Sequence, residues 1–329
     1  MAASTSSSRT AGAGAQTVAD LGEFGMIAAI SETIRGVREP GEHVLVGPGD
    51  DAAVLRVRQG HVVVSTDLLV EDRHFRRDWA EAYDVGRRAA AQNLSDINAM
   101  GGTATSLTVG LAVPPETPVA WVRDLARGIA EEAALVGADV VGGDLTRGDA
   151  IVVAVTVLGA CRQAPVLRDG ARPGDVVALA GRQGWSAAGL AVLGRGFRSP
   201  RAVVEAYRRP EPPYGAGPEA AQAGATAMID VSDGLLADLG HVARASGVAV
   251  DVDPGAFTVP EPLQAVGAAL GADPLSFVLT GGEDHGLLAC FETADAVPDG
   301  WLRIGTVTAG EGVTVAGEPY DGVPGHTHF

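Results

Sequence analysis

Lysine is missing from this sequence of 329 residues, and all 24 of its basic residues are arginine. A P-loop needs a lysine on the phosphates of its nucleotide, and a protein kinase needs one on its third strand, so both kinds of site are excluded. Enzymes that form a Schiff base on lysine are excluded for the same reason. A nucleotide bound by this chain must therefore have its phosphates contacted by metal ions, arginines, backbone N–H groups or helix N-termini.

Cysteine is also scarce in this chain. Cys161 and Cys290 lie in apolar, strand-like segments without the spacing of metal ligands, which favours buried thiols in a reducing compartment over a disulfide. The histidines form no HxxxH or mixed Cys/His arrangement, so no zinc site is predicted. There is no G-x-S-x-G motif and no evident activated cysteine, which excludes the usual covalent hydrolases.

Negative charge outweighs positive charge, because 24 arginines stand against 41 aspartates and glutamates and the formal net charge is -17. Nucleic acids and anionic membrane surfaces are therefore not expected as partners, since both require a basic surface. No apolar run reaches the roughly 18–20 residues of a membrane span. Residues 1–17 lack an apolar core, so we expect a disordered tail rather than a signal peptide, and a cytoplasmic protein.

Apolar, strand-like runs alternate with segments of helical spacing in both halves of the chain. One amphipathic helix is predicted over 20–37, and another begins at an N-cap, Asp84, and ends at a pair of glycines. The alternation predicts the α/β class with mixed α+β sheets. A turn-rich segment, 162–175, marks a boundary, so we expect two domains, 18–161 and 162–329.

Aspartate stands beside glycine, serine or threonine at the end of apolar runs in several separate segments. These are GPGDDA (47–52), STD (65–67), NLSD (93–96), VGGD (141–144), IDVSDG (229–234) and TGGED (280–284). Carboxylates that converge from strand ends and tight turns are how proteins hold hard cations such as Mg²⁺. An acidic chain that binds an anionic substrate needs such cations between the two. The pattern therefore indicates Mg²⁺-dependent phosphoryl chemistry.

The first two motifs each have a structural alternative, whereas the third calls for a partner. Asp50 and Asp51 repel each other by about 1–4 kcal/mol at 4 Å unless a cation lies between them, but they could also cap an ordinary turn. Asp67 ends an apolar strand, where ligands gather in α/β proteins, or it belongs to a helix N-cap. Asp96 lies inside an otherwise apolar helix, and a buried aspartate there needs a partner such as a metal ion.

The other motifs combine glycine with acidic residues. The glycine pairs at 142–143 and 281–282 permit close approach of the backbone to a phosphate, although a glycine-rich turn is the commoner explanation. In IDVSDG a strand leads through Asp230, Ser232 and Asp233 into a helix. The N–H groups at that helix start would face an anion while the carboxylates hold Mg²⁺, or one of these residues is an ordinary N-cap.

Taken in order, these motifs resemble the series found in the thiamine-monophosphate kinase family. The segments that carry the resemblance are GPGDDAAVL, STDLLVEDRHF, NLSDINAMGG, VGGDLTRG, RDGARPGD, IDVSDGLLADLGH and TGGEDHGLLACF. That family belongs with aminoimidazole ribonucleotide synthetase, selenophosphate synthetase and the hydrogenase-maturation carbamoyl dehydratase. The resemblance runs from about Gly22 to Phe329. It implies an N-terminal domain that dimerises through its sheet, a C-terminal α/β domain, and ATP bound between them without a P-loop.

The activity that the resemblance implies is transfer of the γ-phosphoryl group from the co-substrate ATP to thiamine monophosphate in a homodimer, giving thiamine diphosphate and ADP. Several Mg²⁺ ions would be held by the residues at the metal positions of the family, namely Asp50, Asp51, Ser65, Thr66, Asp67, Asp96, Asp144, Asp230 and Asp233. ATP would be contacted by Gly143, Asp144, Arg168 and Ser232. Thiamine monophosphate would be contacted by His74, Glu283 and His326.

No side chain is predicted to act as an acid or base in this reaction. A phosphate monoester has its second pKa near 6, so the attacking oxygen is already ionised at pH 7. Phosphoryl transfer then depends mainly on positioning and on charge neutralisation. Mg²⁺ removes the repulsion between the two polyanions.

Two departures from the family pattern concern the substrate side. The family usually continues GGED with Tyr-Glu and ends in an aromatic-x-His-Phe stretch, residues that stack on or cover the substrate, where this chain has His285-Gly286 and 325–329. Two alternatives stay open, an aminoimidazole ribonucleotide synthetase-like enzyme and a non-catalytic nucleotide-binding module. Selenophosphate synthetase is disfavoured, because no cysteine precedes Cys161 and lysine is absent.

Overall fold

A computed structural model of the protein describes residues 16–46, 54–55 and 61–326. The predicted metal ligands Asp50 and Asp51 lie outside the described residues, as does most of the predicted N-terminal tail. The last residue of that tail, Thr17, is the N-cap of the first helix and accepts a hydrogen bond from the backbone N–H of Asp20.

The first part of the chain builds a four-stranded sheet with helices on one face. Its elements are α1 (Val18–Val37), β1 (Val44–Val46), β2 (Val54–Leu55), β3 (His61–Val70), α2 (Ala82–Ala99), β4 (Thr103–Val113), α3 (Val119–Leu135), β5 (Asp139–Arg147) and β6 (Val152–Cys161). The strand order of this sheet is β3-β6-β4-β5, and only the last pair is parallel. Strands β1 and β2 pair with each other in a separate two-stranded sheet. Between the sheet and α2 and α3 lies a core whose large side chains, such as Leu94 and Leu107, each contribute about 1.5–3 kcal/mol through burial.

The second part of the chain builds a mixed sheet with helices on both faces. Its elements are β7 (Val176–Ala180), α4 (Trp185–Gly194), α5 (Arg201–Arg208), α6 (Ala216–Gln222), β8 (Ala227–Asp230), α7 (Leu235–Ser246), β9 (Ala249–Val252), α8 (Glu261–Leu270), α9 (Pro274–Thr280), β10 (Leu287–Phe291), β11 (Leu302–Thr308), β12 (Gly312–Val315) and β13 (Glu318–Pro319). The strand order is β13-β12-β9-β11-β7-β10-β8. Strand β10, which pairs with β7 and β8, is apolar at every position because helices cover both of its faces.

The predicted α/β class with mixed sheets is confirmed, but two local predictions are wrong. Asp84 is not the N-cap of α2; Glu81 is the N-cap, and Asp84 occupies the third helical position in a capping box. The glycines of VGGD do not form a turn, because β5 runs on through Asp144 to Arg147. A Cβ atom at Gly143 would lie 2.2 Å from the carbonyl oxygen of Val109 in β4, so glycine is what lets the two strands pair here.

Each of the two larger sheets contains one of the two cysteines. Cys161 is the last residue of β6, Cys290 lies within β10, and both are buried free thiols. Burial raises the pKa of the Cys290 thiol to about 12. Across the described ranges, no single helix has the length and apolar character needed to cross a membrane; α8 and α9 meet those criteria only as a pair bent by 111°.

Helix α2 joins the two parts of the chain. One of its faces packs on the four-stranded sheet, and residues near its C-terminal end bond to the second part. The Asn98 side chain accepts a hydrogen bond from the Gly217 N–H at 2.8 Å and donates one to the Pro213 carbonyl at 3.2 Å. Behind α2, helix α3 comes so close that a Cβ atom at Gly86 would lie 2.1 Å from the Leu125 carbonyl oxygen.

The close crossing of α2 and α3 predicts the cost of adding one methyl group. We expect Gly86→Ala to lower the free energy of unfolding by about 1–3 kcal/mol, because the backbone of α3 must move away. The control is Gly240→Ala in α7, where a Cβ atom would meet nothing within 4 Å and where alanine stabilises the helix by up to about 1 kcal/mol. Urea unfolding curves measure both, and a Gly86→Ala protein as stable as the wild type would contradict the crossing.

Candidate active site

Three of the aspartates predicted to bind metal lie together where α2 meets both sheets. Asp67 is in β3, Asp96 is in α2, and Asp230 ends β8. The Ser65 hydroxyl donates a hydrogen bond to Asp96, with 2.5 Å between Oγ and Oδ2, and the Ser95 hydroxyl donates one to Asp230 over 3.1 Å. Because side chains alternate along a strand, Ser65 and Asp67 face α2 together. We call Asp67, Asp96 and Asp230 the aspartate cluster.

The members of the aspartate cluster repel one another. Burial and the negative charges of Asp230 and Asp67 raise the pKa of Asp96 to about 7, even though the hydrogen bond from Ser65 opposes the shift. Burial also raises the pKa of Asp67, and the charge of Asp230 adds to the rise while that of His285 opposes it. Buried carboxylates of this kind are stabilised in their ionised form by nearby positive charge and by hydrogen-bond donors.

The cluster fits Mg²⁺ in the chemistry of its donors, since carboxylate and hydroxyl oxygens are the ligands that this ion prefers. Over the described part of the chain, no three or more His, Cys, Asp or Glu side chains are already arranged to hold one metal ion. Binding an ion between the cluster members would therefore require side-chain adjustment or further oxygen ligands.

The structure places two other predicted metal ligands away from the cluster. Thr66 points to the opposite face of β3, where its hydroxyl donates to the Val155 carbonyl at 3.0 Å and lies 3.0 Å from the Thr156 hydroxyl. Asp144 lies on β5, at the other edge of the sheet from β3. Three strand spacings separate these edges, which amounts to about 14 Å. Gly143 and Asp144 are both exposed.

The loop between β8 and α7 is held by Asp238, which the sequence analysis missed. Its Oδ2 accepts hydrogen bonds from the backbone N–H groups of Ser232, Asp233 and Gly234 at 3.0, 3.0 and 3.1 Å. The prediction that these N–H groups face a bound anion is wrong, because a carboxylate of the protein already accepts from them. Burial raises the pKa of Asp238 to about 7 against the effect of these bonds.

The TGGED segment pairs with the same loop. The Glu283 N–H donates to the Ser232 carbonyl at 2.9 Å, and a Cβ atom at Gly282 would lie 2.1 Å from that oxygen. Glu283 and His285 both have positive φ, 64° and 54°. Non-glycine residues adopt this conformation rarely, and they keep it only where the surrounding contacts impose it. The Glu283 side chain forms an ion pair with Arg88 of α2.

His285 is buried against the aspartate cluster, with 3.1 Å between its Nδ1 and the Oδ2 of Asp230. Burial lowers the pKa of His285, but the hydrogen bond and the charge of Asp230 and the charge of Glu283 outweigh it, so the pKa is raised. With only 6% of the residue exposed, the ring presents no face to a substrate. The expectation that His285 replaces a substrate-stacking residue is therefore wrong.

The remaining predicted ligand contacts lie around the same loops. His74 accepts a hydrogen bond at Nδ1 from the Val70 N–H at 3.0 Å, and its ring lies near Asp67. The charge of the exposed Arg168 lowers the pKa of His241 in α7, and the charge of Asp233 raises it. Arg168 and Asp233 therefore both lie near that helix. The backbone N–H of His326 donates to the Asp233 carbonyl at 2.8 Å, which places the C-terminal segment on the β8–α7 loop.

Sequence reasoning missed four residues that hold these groups in place. They are Arg88, Ser95, Asp238 and Asp284. Arg88 and Ser95 are seven positions apart, so they share one face of α2. The polar Asp96 in the same apolar helix is the signal that could have directed attention to this face. Asp284 accepts from the Ser186 N–H at the start of α4 at 3.0 Å, and burial raises its pKa to about 7.

Two family descriptions match this chain. Residues 49–161 match the AIR synthase related protein N-terminal domain, and residues 172–318 match the corresponding C-terminal domain. The thiamine-monophosphate kinase of Mycobacterium tuberculosis is 49% identical over 316 residues, covering 95% of this chain and 93% of that protein. The enzyme of the same name from Corynebacterium glutamicum is 42% identical and covers 89% of this chain and 88% of its own length.

Solved structures of the same kind share the fold. The thiamine-monophosphate kinase from Stenotrophomonas maltophilia superimposes with a TM-score of 0.79 at 33% identity, covering 89% of this chain and 97% of that one. The structure of AaThiL complexed with AMPPCP and TMP superimposes with a TM-score of 0.78 at 31% identity, covering 94% and 98%. With both domains matched and close relatives along nearly its whole length, the chain belongs to the thiamine-monophosphate kinase family of AIR synthase related proteins.

Proposed function

We propose that this protein transfers the γ-phosphoryl group of ATP to thiamine monophosphate, giving thiamine diphosphate and ADP. The observation that carries the proposal is the aspartate cluster, formed between two AIR synthase related domains in a chain 49% identical to a thiamine-monophosphate kinase. A related structure is complexed with AMPPCP, an analogue of ATP, together with TMP. The lack of any lysine agrees with an ATP site that has no P-loop.

In this proposal the aspartate cluster and Asp233 hold Mg²⁺ ions, with Ser65 and Ser95 orienting carboxylates through hydrogen bonds. When bound, Mg²⁺ supplies the positive charge that lets two polyanions approach each other. The predicted ligands that lie outside the described residues would complete the set. No acid or base is needed, because the acceptor phosphate is ionised at neutral pH.

The contacts to the two substrates stay predictions. ATP is contacted by Ser232 and Arg168 near α7 and, farther along the nucleotide, by Gly143 and Asp144 on β5. Thiamine monophosphate is contacted by His74, Glu283 and His326. The last three lie beside the cluster or beside loops joined to it, which supports an acceptor bound next to the metal ions.

We also infer two domains divided near residue 162 and a cytoplasmic location.

We further infer a homodimer built on the open face of the four-stranded sheet. The face of β3 that points away from α2 exposes apolar side chains, with Val62 50%, Val64 66% and Leu68 55% exposed. Apolar side chains exposed together on one face of a sheet are typical of a protein–protein interface. A second copy of this chain is the partner that the family resemblance implies.

The two alternatives are weaker. A non-catalytic module would have no reason to keep buried, mutually repelling carboxylates, since these reduce stability. An aminoimidazole ribonucleotide synthetase-like activity is the competing enzyme, and a direct assay separates it. Purified protein with ATP, Mg²⁺ and thiamine monophosphate should form thiamine diphosphate and ADP in equal amounts, as detected by chromatography. ADP released without thiamine diphosphate would contradict the proposal.

The raised pKa of Asp96 predicts opposite effects of one substitution on activity and stability. The folded state holds the Asp96 proton more tightly than the unfolded chain, so the ionised carboxylate costs stability increasingly as pH rises from about 4 to about 7. In buffer at pH 8 without Mg²⁺, Asp96→Asn should therefore raise the melting temperature. The same variant should lower kcat at least about a hundredfold, because a metal ligand is lost.

The control for this prediction is Asp124→Asn, which removes an exposed carboxylate of α3 that pairs with Arg127. This variant should change neither the melting temperature nor kcat, because exposed ion pairs contribute little to stability. Differential scanning fluorimetry and steady-state kinetics at saturating Mg²⁺ measure the two effects. An Asp96→Asn enzyme with nearly normal kcat would remove Asp96 from the metal site.

The open sheet face predicts the outcome of placing a charge in it. Val64→Arg should convert the dimer to a monomer, because an arginine at the centre of an apolar interface loses its hydration without gaining a partner. Leu302→Arg is the control, since Leu302 lies on β11 of the other sheet and is 39% exposed. Light scattering coupled to size exclusion measures the mass, and a Val64→Arg protein that stays dimeric would place the interface elsewhere.

A further inference from the structure

Arg88 lies in the contact between α2 and the second part of the chain, and only 5% of its side chain is exposed. Nη2 of its guanidinium donates to Oε1 of Glu283, and Nη1 donates to the carbonyl oxygen of Tyr207 at 3.4 Å. The same guanidinium lies over the Tyr207 ring, 4.5 Å from the ring centroid. A planar cation enclosed by a carboxylate, a carbonyl and an aromatic face is held in one orientation.

Glu283 is fixed from two sides. Its backbone is set by the β8–α7 loop, because its N–H donates to the Ser232 carbonyl and its φ is 64°. Its carboxylate is set by Arg88, which binds one of the two oxygens, Oε1. The Glu283 side chain is still 39% exposed, so the carboxylate is oriented by a buried partner and accessible to a ligand.

Helix α2 links this carboxylate to the aspartate cluster. Arg88 and Ser95 are seven positions apart, two turns along one face of the helix. Ser95 donates to Asp230 of the cluster, whereas Arg88 donates to Glu283. A rigid helix therefore sets the spacing between a predicted metal ligand and a predicted substrate ligand.

We propose that Arg88 is a positioning residue for the acceptor substrate: it orients the Glu283 carboxylate toward thiamine monophosphate at a fixed distance from the aspartate cluster. This inference rests on the proposed function. A carboxylate held there attracts the cationic thiazolium ring of the acceptor. Arg88 itself does not touch the substrate, because its guanidinium is enclosed by protein.

The test variant is Arg88→Met, which keeps an apolar stem of similar length and leaves Glu283 to be solvated by water. We expect its KM for thiamine monophosphate to rise about tenfold or more while its KM for ATP stays within about threefold. Calorimetric titration with thiamine monophosphate in the presence of AMPPCP and Mg²⁺ should show the same loss without turnover. The KM of Arg88→Lys for thiamine monophosphate should lie between those of the wild type and Arg88→Met, since an ammonium keeps the charge but not the planar arrangement of donors.

A double-mutant cycle with Glu283→Gln separates positioning from simple folding effects. If Arg88 acts through Glu283, the double variant should bind thiamine monophosphate as weakly as Glu283→Gln alone, within about twofold, rather than showing the product of both losses. Glu283→Gln should also lower the melting temperature more than Arg88→Met, because it leaves a buried cation without its partner. This order of stabilities checks the geometry independently of binding.

The matched control is Arg209→Met. Arg209 also joins α2 to the second part of the chain, through Asp84 at 3.4 Å, and it pairs with Glu205 instead of Glu283. Its loss should leave binding of thiamine monophosphate within about threefold of the wild type.

The possible results separate the two proposals. A wild-type protein that does not bind thiamine monophosphate overturns both of them. If the wild type binds it and Arg88→Met binds it equally well, the positioning role is overturned and the proposed function stands. Equal rises in both KM values, or a loss as large in Arg209→Met, would show that Arg88 only joins the two parts of the chain.

Discussion

Repulsion between buried carboxylates is the interaction on which the rest of this structure depends. Asp67, Asp96 and Asp230 come from a strand, a helix and a strand of the other sheet, and the negative charge of Asp230 disfavours the ionised forms of Asp67 and Asp96. The protein offsets part of this repulsion with hydroxyl donors and with the charge of His285. Under the proposed function, bound Mg²⁺ ions would neutralise the repulsion that remains.

Helix α2 is the element that makes this convergence possible. It packs on the four-stranded sheet along its length and bonds to the second part of the chain at positions from Asp84 to Asn98. Gly86 of α2 lets α3 approach more closely than any side chain at that position would allow, so α2 has little room to shift. Rigid support of this kind keeps functional groups within the narrow tolerances that phosphoryl transfer requires.

The residues that could be predicted from sequence are those whose chemistry conflicts with their local surroundings. Aspartate in an apolar helix or at the end of an apolar strand is unfavourable without a partner, so Asp96 and Asp230 attract attention in a single sequence. Alternation of apolar segments likewise predicts the α/β class. Arg88 was missed because an arginine on a helix is ordinary, and its partner Glu283 lies 195 positions away. The course of β5 was missed because the close approach of β4 to Gly143 depends on pairing that no local pattern encodes.

The distribution of the two cysteines has a practical consequence. Cys161 and Cys290 are both buried free thiols, and each belongs to a different sheet, so each can react with a thiol reagent only when its own sheet opens. Burial raises the pKa of both thiols, and a thiol reacts as its thiolate, so exposure to solvent increases both the access of the reagent and the reactive fraction. The protein thus contains two built-in reporters of local unfolding, and variants that remove one cysteine at a time would distinguish opening of the first sheet from opening of the second.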